Sequence, residues 1–459
     1  MKQRFAIFLL PALLLSKASA LAQPASPSAD EAQAIVKELV ACGTRHSLSS
    51  WSDPVRGIGC AKYGVVRRLR ALVGASGGRL RIVLDSFEAS SARTRGVAVR
   101  LENVIVVIDG TDPLLKQTAY VISGHLDSMP SDVMDPRSDA PGADDDASGV
   151  AVSVLAARSL SEAPHRATVI LAAVSGEEQG LLGGTRLLAW LTEQGYKIGG
   201  MATNDIVGAT NGSPDRRPRL FSEGGADGID SPGRELARRI EELVGKLRVR
   251  LVFRRDRFGR GGDHLPFVEA GHPAVRFTEP LEDYRHEHQT PRTENGVEYG
   301  DLLKHLDFPL IAETASVNAR WLAELADAPA PPLSVRLTGA VTPDAKLTIE
   351  AGEDAARSGF EILHRETTDP RWSVLRSTEV SGLIALPGIS TDNEYFAVRS
   401  VGKNGSKGLA VPAVAPPRPA PGSVVPTPAA SPTPAASPTP AASPTPAATP
   451  TARTAKKKS

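Results

Sequence analysis

Residues 119–128 read Ala119-Tyr120-Val121-Ile122-Ser123-Gly124-His125-Leu126-Asp127-Ser128. Four apolar positions, two small ones and then His-x-Asp describe a short buried strand that ends in polar chemistry. Next comes Gly142-Ala143-Asp144-Asp145-Asp146-Ala147-Ser148-Gly149, leading into apolar residues at helical spacing from Ser148 to Leu160. A second apolar run, Thr168–Val174, stops at Ser175-Gly176-Glu177-Glu178-Gln179-Gly180. Strand, helix and strand, with each strand closing on a polar loop, point to a parallel sheet covered by helices.

The same alternation extends in both directions. Arg79–Phe87, Val97–Ile108, Met201–Val207 and Ala274–Phe277 read as further strands. Asp30–Val40, Leu181–Leu191, Ser231–Leu247 and Tyr299–Leu325 read as helices, the third with Pro232 at a tolerated first-turn position. The expected fold class is α/β, a doubly wound, mainly parallel sheet covered by helices, over residues 30–326. Residues 331–417 lose the helical period. Leu333–Leu337 alternates, Trp372 is a candidate core anchor, and Tyr395–Arg399 precedes a Gly-rich turn. This stretch resembles a fibronectin type III β-sandwich. Residues 418–459 repeat Pro426-Thr427-Pro428-Ala429-Ala430-Ser431 and end near Lys456-Lys457-Lys458. Dense Pro without apolar bulk predicts a disordered, extended tail.

Charge excludes some functions. Lys plus Arg number 53 against 52 Asp plus Glu, a net +1, which leaves no electrostatic footprint for nucleic acid or an anionic membrane. Lys2 and Arg4 before the apolar Phe5–Leu15, with small residues up to Ala22, predict a signal peptide over residues 1–22. The protein is therefore expected to be exported, periplasmic or extracellular, with no further run long enough to span a membrane. An oxidising compartment permits a Cys42–Cys60 bridge, with two buried thiols as the alternative. Oligomeric state is not readable from these patterns.

The acidic and histidine residues fall just beyond the expected strands: His125 and Asp127, Asp144–Asp146, Glu177-Glu178, Asp205, and His286 and His288. That edge is where open α/β sheets place their sites. His nitrogen and carboxylate oxygen are the ligands of catalytic zinc. Three adjacent carboxylates at Asp144–Asp146 repel one another unless cations neutralise them, which also favours a metal.

From about Val121 to Gln289, the ordered motifs resemble secreted bacterial zinc-dependent aminopeptidases with two co-catalytic metals, leucyl-aminopeptidase-like exopeptidases. The resemblance implies two zinc ions held by His125, Asp145, Glu178, Asp205 and His288, with Asp145 as the bridge. It implies Glu177 as general base and Asp127 as the residue that orients the His125 ring. His286 is the alternative to His288, and Asp263-His264 matches a segment that lines the site. The implied activity is removal of N-terminal residues from peptide substrates. A carboxypeptidase or deacylase on the same fold is the alternative, which Arg254, Arg255, Arg257 and Arg260 keep open by offering a carboxylate pocket. A glutaminyl-cyclase-like transferase and a non-catalytic peptide-binding or adhesion protein are more distant readings.

Overall fold

The computed structural model describes residues 26–224, 230–255, 261–339 and 342–415. The expected signal segment and the Pro/Ala-rich tail lie outside the described residues, as do Arg257 and Arg260.

Helices α1 (Ala29–Val40) and α2 (Ile58–Ala75) lead into strands β1 (Leu80–Ala89) and β2 (Val99–Ile108). Strands and helices then alternate as β3 (Thr118–His125), α3 (Ala147–Ser161), β4 (Thr168–Val174), α4 (Leu182–Glu193) and β5 (Lys197–Asn204). The sheet is completed by β6 (Arg219–Phe221) and, after α5 (Pro232–Val244), by β7 (Arg250–Val252). Its last strand, β8 (Ala274–Thr278), follows the short α6 (Leu265–Glu269). A small hairpin of β9 (Arg292–Glu294) and β10 (Val297–Tyr299) precedes the long α7 (Phe308–Ala326).

The eight strands lie in the order β1-β2-β4-β3-β5-β8-β6-β7. The centre, β4-β3-β5-β8, is parallel throughout. Antiparallel pairings occur only towards the edges, at β1/β2, β2/β4 and β6/β8. Side chains alternate between two apolar layers. Tyr120 and Ile122 of β3 pack with residues of α1, α2, α3, α5 and α7. Ala119 and Val121 pack with Leu187 and Trp190 of α4 and Phe267 of α6. Each large apolar side chain buried this way contributes about 1.5–3 kcal/mol. This burial on both faces explains why β3 and β4 read as unbroken apolar runs.

Several boundaries differ from the pattern reading. Helix α3 starts at Ala147, one residue ahead of the expected Ser148, and is capped by Asp146, whose side chain accepts from Gly149 N. Helix α7 begins at Phe308, not Tyr299. Gly300, at φ 124°, turns the chain there, and Asp307 caps the helix with Pro309 in its first turn. Helix α2 and strands β6 and β7 were not anticipated. Cys42 and Cys60 form a disulfide that closes the loop between α1 and α2.

After α7, two antiparallel sheets face each other. One is ordered β11 (Ser334–Thr338), β12 (Ala345–Glu350), β15 (Gly382–Leu386). The other is ordered β14 (Ser373–Thr378), β13 (Gly359–Glu366), β16 (Glu394–Val401), β17 (Val411–Pro412). Their shared core is built on Val335, Leu347, Phe360, Ile362, Phe396 and Val398. Trp372 is not part of it. Its indole N–H requires an acceptor, and it leaves the sandwich to donate to Glu235 Oε2 on α5 at 2.7 Å.

That contact belongs to a polar seam along α5. Arg371 pairs with Glu241 through two bonds of 2.7 and 2.8 Å, Arg399 reaches Glu242 at 2.6 Å, and Arg365 reaches Asp230 at 2.7 Å. Arg238 donates to the Pro370 carbonyl at 2.7 Å and lies between the faces of Phe253 and Trp372. Burial raises Glu235 to about 7, against the pull of Arg238 and of the Trp372 N–H. Partners of this kind are costly to remove, because the charge left behind stays buried and unpaired. A chain ended after Ala328 is therefore expected to unfold roughly 10 °C or more below the full chain in a thermal melt. An unchanged melting temperature would mean that the seam contributes nothing to stability.

Candidate metal centre

The parallel centre brings four strand ends to one edge, and each delivers part of the site. His125 is the last residue of β3, Asp205 follows β5, Glu177 and Glu178 follow β4, and His288 lies in the loop after β8. Asp145 comes from the loop before α3. Asp145 stands between the two histidines, with Oδ1 2.9 Å from His125 Nε2 and Oδ2 3.0 Å from His288 Nε2. On one side Asp205 Oδ1 lies 3.8 Å from His125 Nε2. On the other, Glu178 Oε2 lies 3.1 Å from His288 Nε2. The result is two groups of convergent donors, His125–Asp145–Asp205 and Asp145–Glu178–His288, that share Asp145.

The ring orientation fits a metal. His125 Nδ1 faces the main-chain carbonyl of Asp127 at 3.1 Å, which can only accept, so Nδ1 carries the proton and Nε2 presents its lone pair. His125 Nε2 and both carboxylate oxygens of Glu178 are buried without a hydrogen bond. Orphaned nitrogen and oxygen donors aimed at a common point are the donor set of zinc. Electrostatics agree. Burial, reinforced by neighbouring acids, raises Asp146 and Glu177 well above the ordinary carboxylate range and Asp263 to about 7. His288 is pushed up to about 12, first by Glu178. With protons alone the cluster must protonate its imidazoles to balance charge. A divalent cation replaces those protons, so metal uptake releases them.

Asp127 acts differently from the expected contact with the ring. Its carboxylate stays 3.8 Å from His125 Nδ1. It instead accepts from the amides of Gly176 at 2.9 Å, Glu177 at 3.4 Å and Glu178 at 3.1 Å, and from the Ser47 hydroxyl at 3.1 Å. The ring is oriented by the Asp127 carbonyl, while the side chain fixes the loop that carries Glu177 and Glu178. The spacing in sequence allowed either atom, and three convergent amides outcompete one ring N–H for a buried carboxylate.

The neighbours of Asp145 have roles of their own. Asp146 accepts from His125 N at 2.8 Å and from Gly149 N at 2.9 Å, tying the ligand strand to the cap of α3. Asp301 accepts from the amides of Asp144 and Asp145, the latter at 2.8 Å. Arg45, 1% exposed, donates to the carbonyls of Leu126 and Gly142, each at 2.8 Å, and to that of Pro141. Ser47, Arg45 and Asp301 were missed from sequence. They lie 80 or more residues from the groups they hold and belong to no local motif. His286 does not join the donors. Its ring stacks on His305 with centroids 3.8 Å apart. Asp263 is wholly buried beside Gly184.

A three-layer α/β domain with a paired-donor centre on the carboxyl edge of its parallel strands defines a metallohydrolase-like class. Known proteins narrow this further. A profile of peptidase family M28 matches residues 103–310. A probable zinc metalloprotease of Leptosphaeria maculans is 39% identical over 409 residues, covering 84% of this chain and 94% of the relative. A probable zinc metalloprotease of Pyrenophora tritici-repentis is 37% identical, covering 84% of each chain. The chain belongs to peptidase family M28 and is a zinc metallopeptidase. These relatives are fungal, whereas the motifs had suggested bacterial ones. The crystal structure of LapB from Legionella pneumophila superimposes with a TM-score of 0.50 at 18% identity, covering 65% of this chain and 72% of that one, and shares the fold.

Replacing Asp127 with Ala removes the shared acceptor of three loop amides without touching a donor of either group. Zinc content or kcat is expected to fall roughly 10–100-fold, the usual effect of losing such a support. Elemental analysis beside steady-state kinetics reads this out, and a variant with both unchanged refutes the role.

Proposed function

We propose that the chain is an exported, two-zinc exopeptidase that removes N-terminal residues from peptides. The observation that carries this reading is the shared Asp145 carboxylate, with one oxygen directed to each histidine at 2.9 and 3.0 Å. A single-metal site has no need of such a bridge. His125, Asp145 and Asp205 would hold one zinc, and Asp145, Glu178 and His288 the other. When bound, such ions polarise a scissile carbonyl and bring a water towards ionisation at neutral pH.

The remaining work falls to the protein. Glu177 is partly exposed, while Glu178 beside it is buried among the donors. That difference supports Glu177 as the group facing substrate and Glu178 as the ligand. In this reading the Glu177 carboxylate accepts the proton of the attacking water and returns it to the leaving amine. Asp127 holds the Glu177 and Glu178 amides, which fixes both side chains relative to each other.

The carboxypeptidase alternative gains no support from the described arginines. Arg254 turns back onto the Arg255 carbonyl at 3.1 Å, and Arg255 pairs with Glu223 at 3.3 Å. The Cys42–Cys60 disulfide supports an oxidising destination. Among the described residues no helix is long and apolar enough to cross a membrane. We further infer that the two facing sheets form a fibronectin type III-like sandwich, a reading supported by three strands packing on four.

Dialysis against a chelator is expected to abolish hydrolysis of aminoacyl anilides, and zinc to restore it. Carboxyl-terminal reporter substrates should stay intact throughout. Turnover of the latter alone would reverse the assigned polarity. Glu177→Gln should keep its zinc while kcat drops by roughly 10²–10⁴. Glu178→Gln should lose metal and activity together. The opposite pattern would exchange the two roles.

A further inference from the structure

The two donor groups are not electrostatically alike, and the difference comes from a buried arginine on β8. Arg276 sits in register between Thr203 of β5 and Phe221 of β6 and is 1% exposed. A guanidinium in the interior of a sheet is costly to desolvate unless anionic and carbonyl oxygens receive it. Its Nη1 donates to the Gly261 carbonyl at 3.2 Å, and its Nη2 lies 3.3 Å from Asp205 Oδ2. The other oxygen of the same carboxylate, Oδ1, faces His125 Nε2 at 3.8 Å. Asp205 is thus divided between a fixed cation on one side and the His125 group on the other.

The backbone makes room for this arrangement. A Cβ at Gly262 would stand 2.8 Å from Asp205 Oδ2, so only glycine lets the chain cross there without displacing the carboxylate. Among the described residues Glu178, the carboxylate that belongs to the second group alone, has no neighbour such as Arg276, and the buried Arg45, which acts on Asp145, serves both groups alike. Among the described residues neither Glu178 nor Asp145 has an ion pair with Lys or Arg. Arg93 reaches only the Glu178 carbonyl, at 2.7 Å. Both Glu178 oxygens are buried without a hydrogen bond, whereas one oxygen of Asp205 is already committed to Arg276.

We propose that Arg276 makes the two metal positions unequal: it restricts Asp205 to a single ligating oxygen and weakens cation binding in the His125–Asp145–Asp205 group, so that the Asp145–Glu178–His288 group fills first. Arg276 is a positioning residue that acts through Asp205. A fixed positive charge a few ångströms from a dication lowers its affinity by a factor on the order of ten or more, even at the screened effective dielectric of a protein site. The inference rests on the two-zinc reading above.

Full-length apoprotein titrated with zinc against a chromophoric chelator, at fixed pH and salt, tests the proposal through binding rather than turnover. Two resolved steps are expected, with Asp205→Asn removing the weaker and Glu178→Gln the tighter. Arg276→Met should tighten the weaker step by about tenfold or more and leave the tighter one in place. Arg276→Lys keeps the charge and should leave both steps near the parent values. If Arg276 were only a packing residue, the Met variant would weaken binding or leave it unchanged, and either outcome overturns the proposal. Should the Met variant fail to fold, the Asn and Gln variants still decide, because removal of the tighter step by Asp205→Asn contradicts it. A parent protein that takes up fewer than two zinc ions would instead sink the two-metal reading itself.

Discussion

The structure depends on one constraint: a set of carboxylates is buried together at the edge of the sheet and cannot all be charged without cations among them. Asp145, Glu178 and Asp205 face His125 and His288, with Asp146, Asp127 and Asp263 directly behind. Left to protons, the cluster raises its histidines and several of its acids at once. An arrangement so unfavourable to folding alone persists when bound metal offsets it. The energy of the site and its chemistry have the same origin.

Holding such a cluster in place takes a framework that spends its own polar groups on the backbone. Asp127 gathers the amides after β4, Asp301 those before α3, and Asp146 ties the end of β3 to the cap of α3. Arg45 reaches across from the loop closed by the disulfide and collects three carbonyls from the two ends of the loop between β3 and α3. Each support satisfies a buried main-chain group that would otherwise cost free energy. Preorganisation and stability therefore coincide here, and the donors are free to face inward because other residues have satisfied the loops that carry them.

The carboxy-terminal sheets relate to this domain through α5. That helix carries apolar residues towards the main sheet and charged ones towards the sandwich, where they meet Arg371, Trp372 and Arg399, while Arg365 pairs with Asp230 just ahead of it. The seam lies on the helix layer and contributes no donor to the metal groups. Its effect on the site passes through the stability of the scaffold.

The sequence by itself determined the parts of this protein set by local pattern. Apolar runs ending at His125, Glu177 and Asp205 required buried parallel strands with polar chemistry at their carboxyl ends, because a strand apolar on both faces must lie inside a covered sheet. The expected ligand set came from the family resemblance, and local pattern shows only that His125, Asp145, Glu178 and Asp205 each lie within four residues of a strand end or helix start. Only the tertiary structure decided what acts across distance. It brought the His288 ring to Asp145 and stacked the His286 ring on His305. It gave the Asp127 side chain to the loop amides and its carbonyl to the histidine, a choice between two atoms of one residue. It brought in Arg45, Ser47, Asp301 and Arg276, and sent Trp372 out of the sandwich to Glu235. Periodicity reports which way a side chain faces. Which buried polar group satisfies which is settled only when distant segments meet, since every such group must find a partner and no local rule says where.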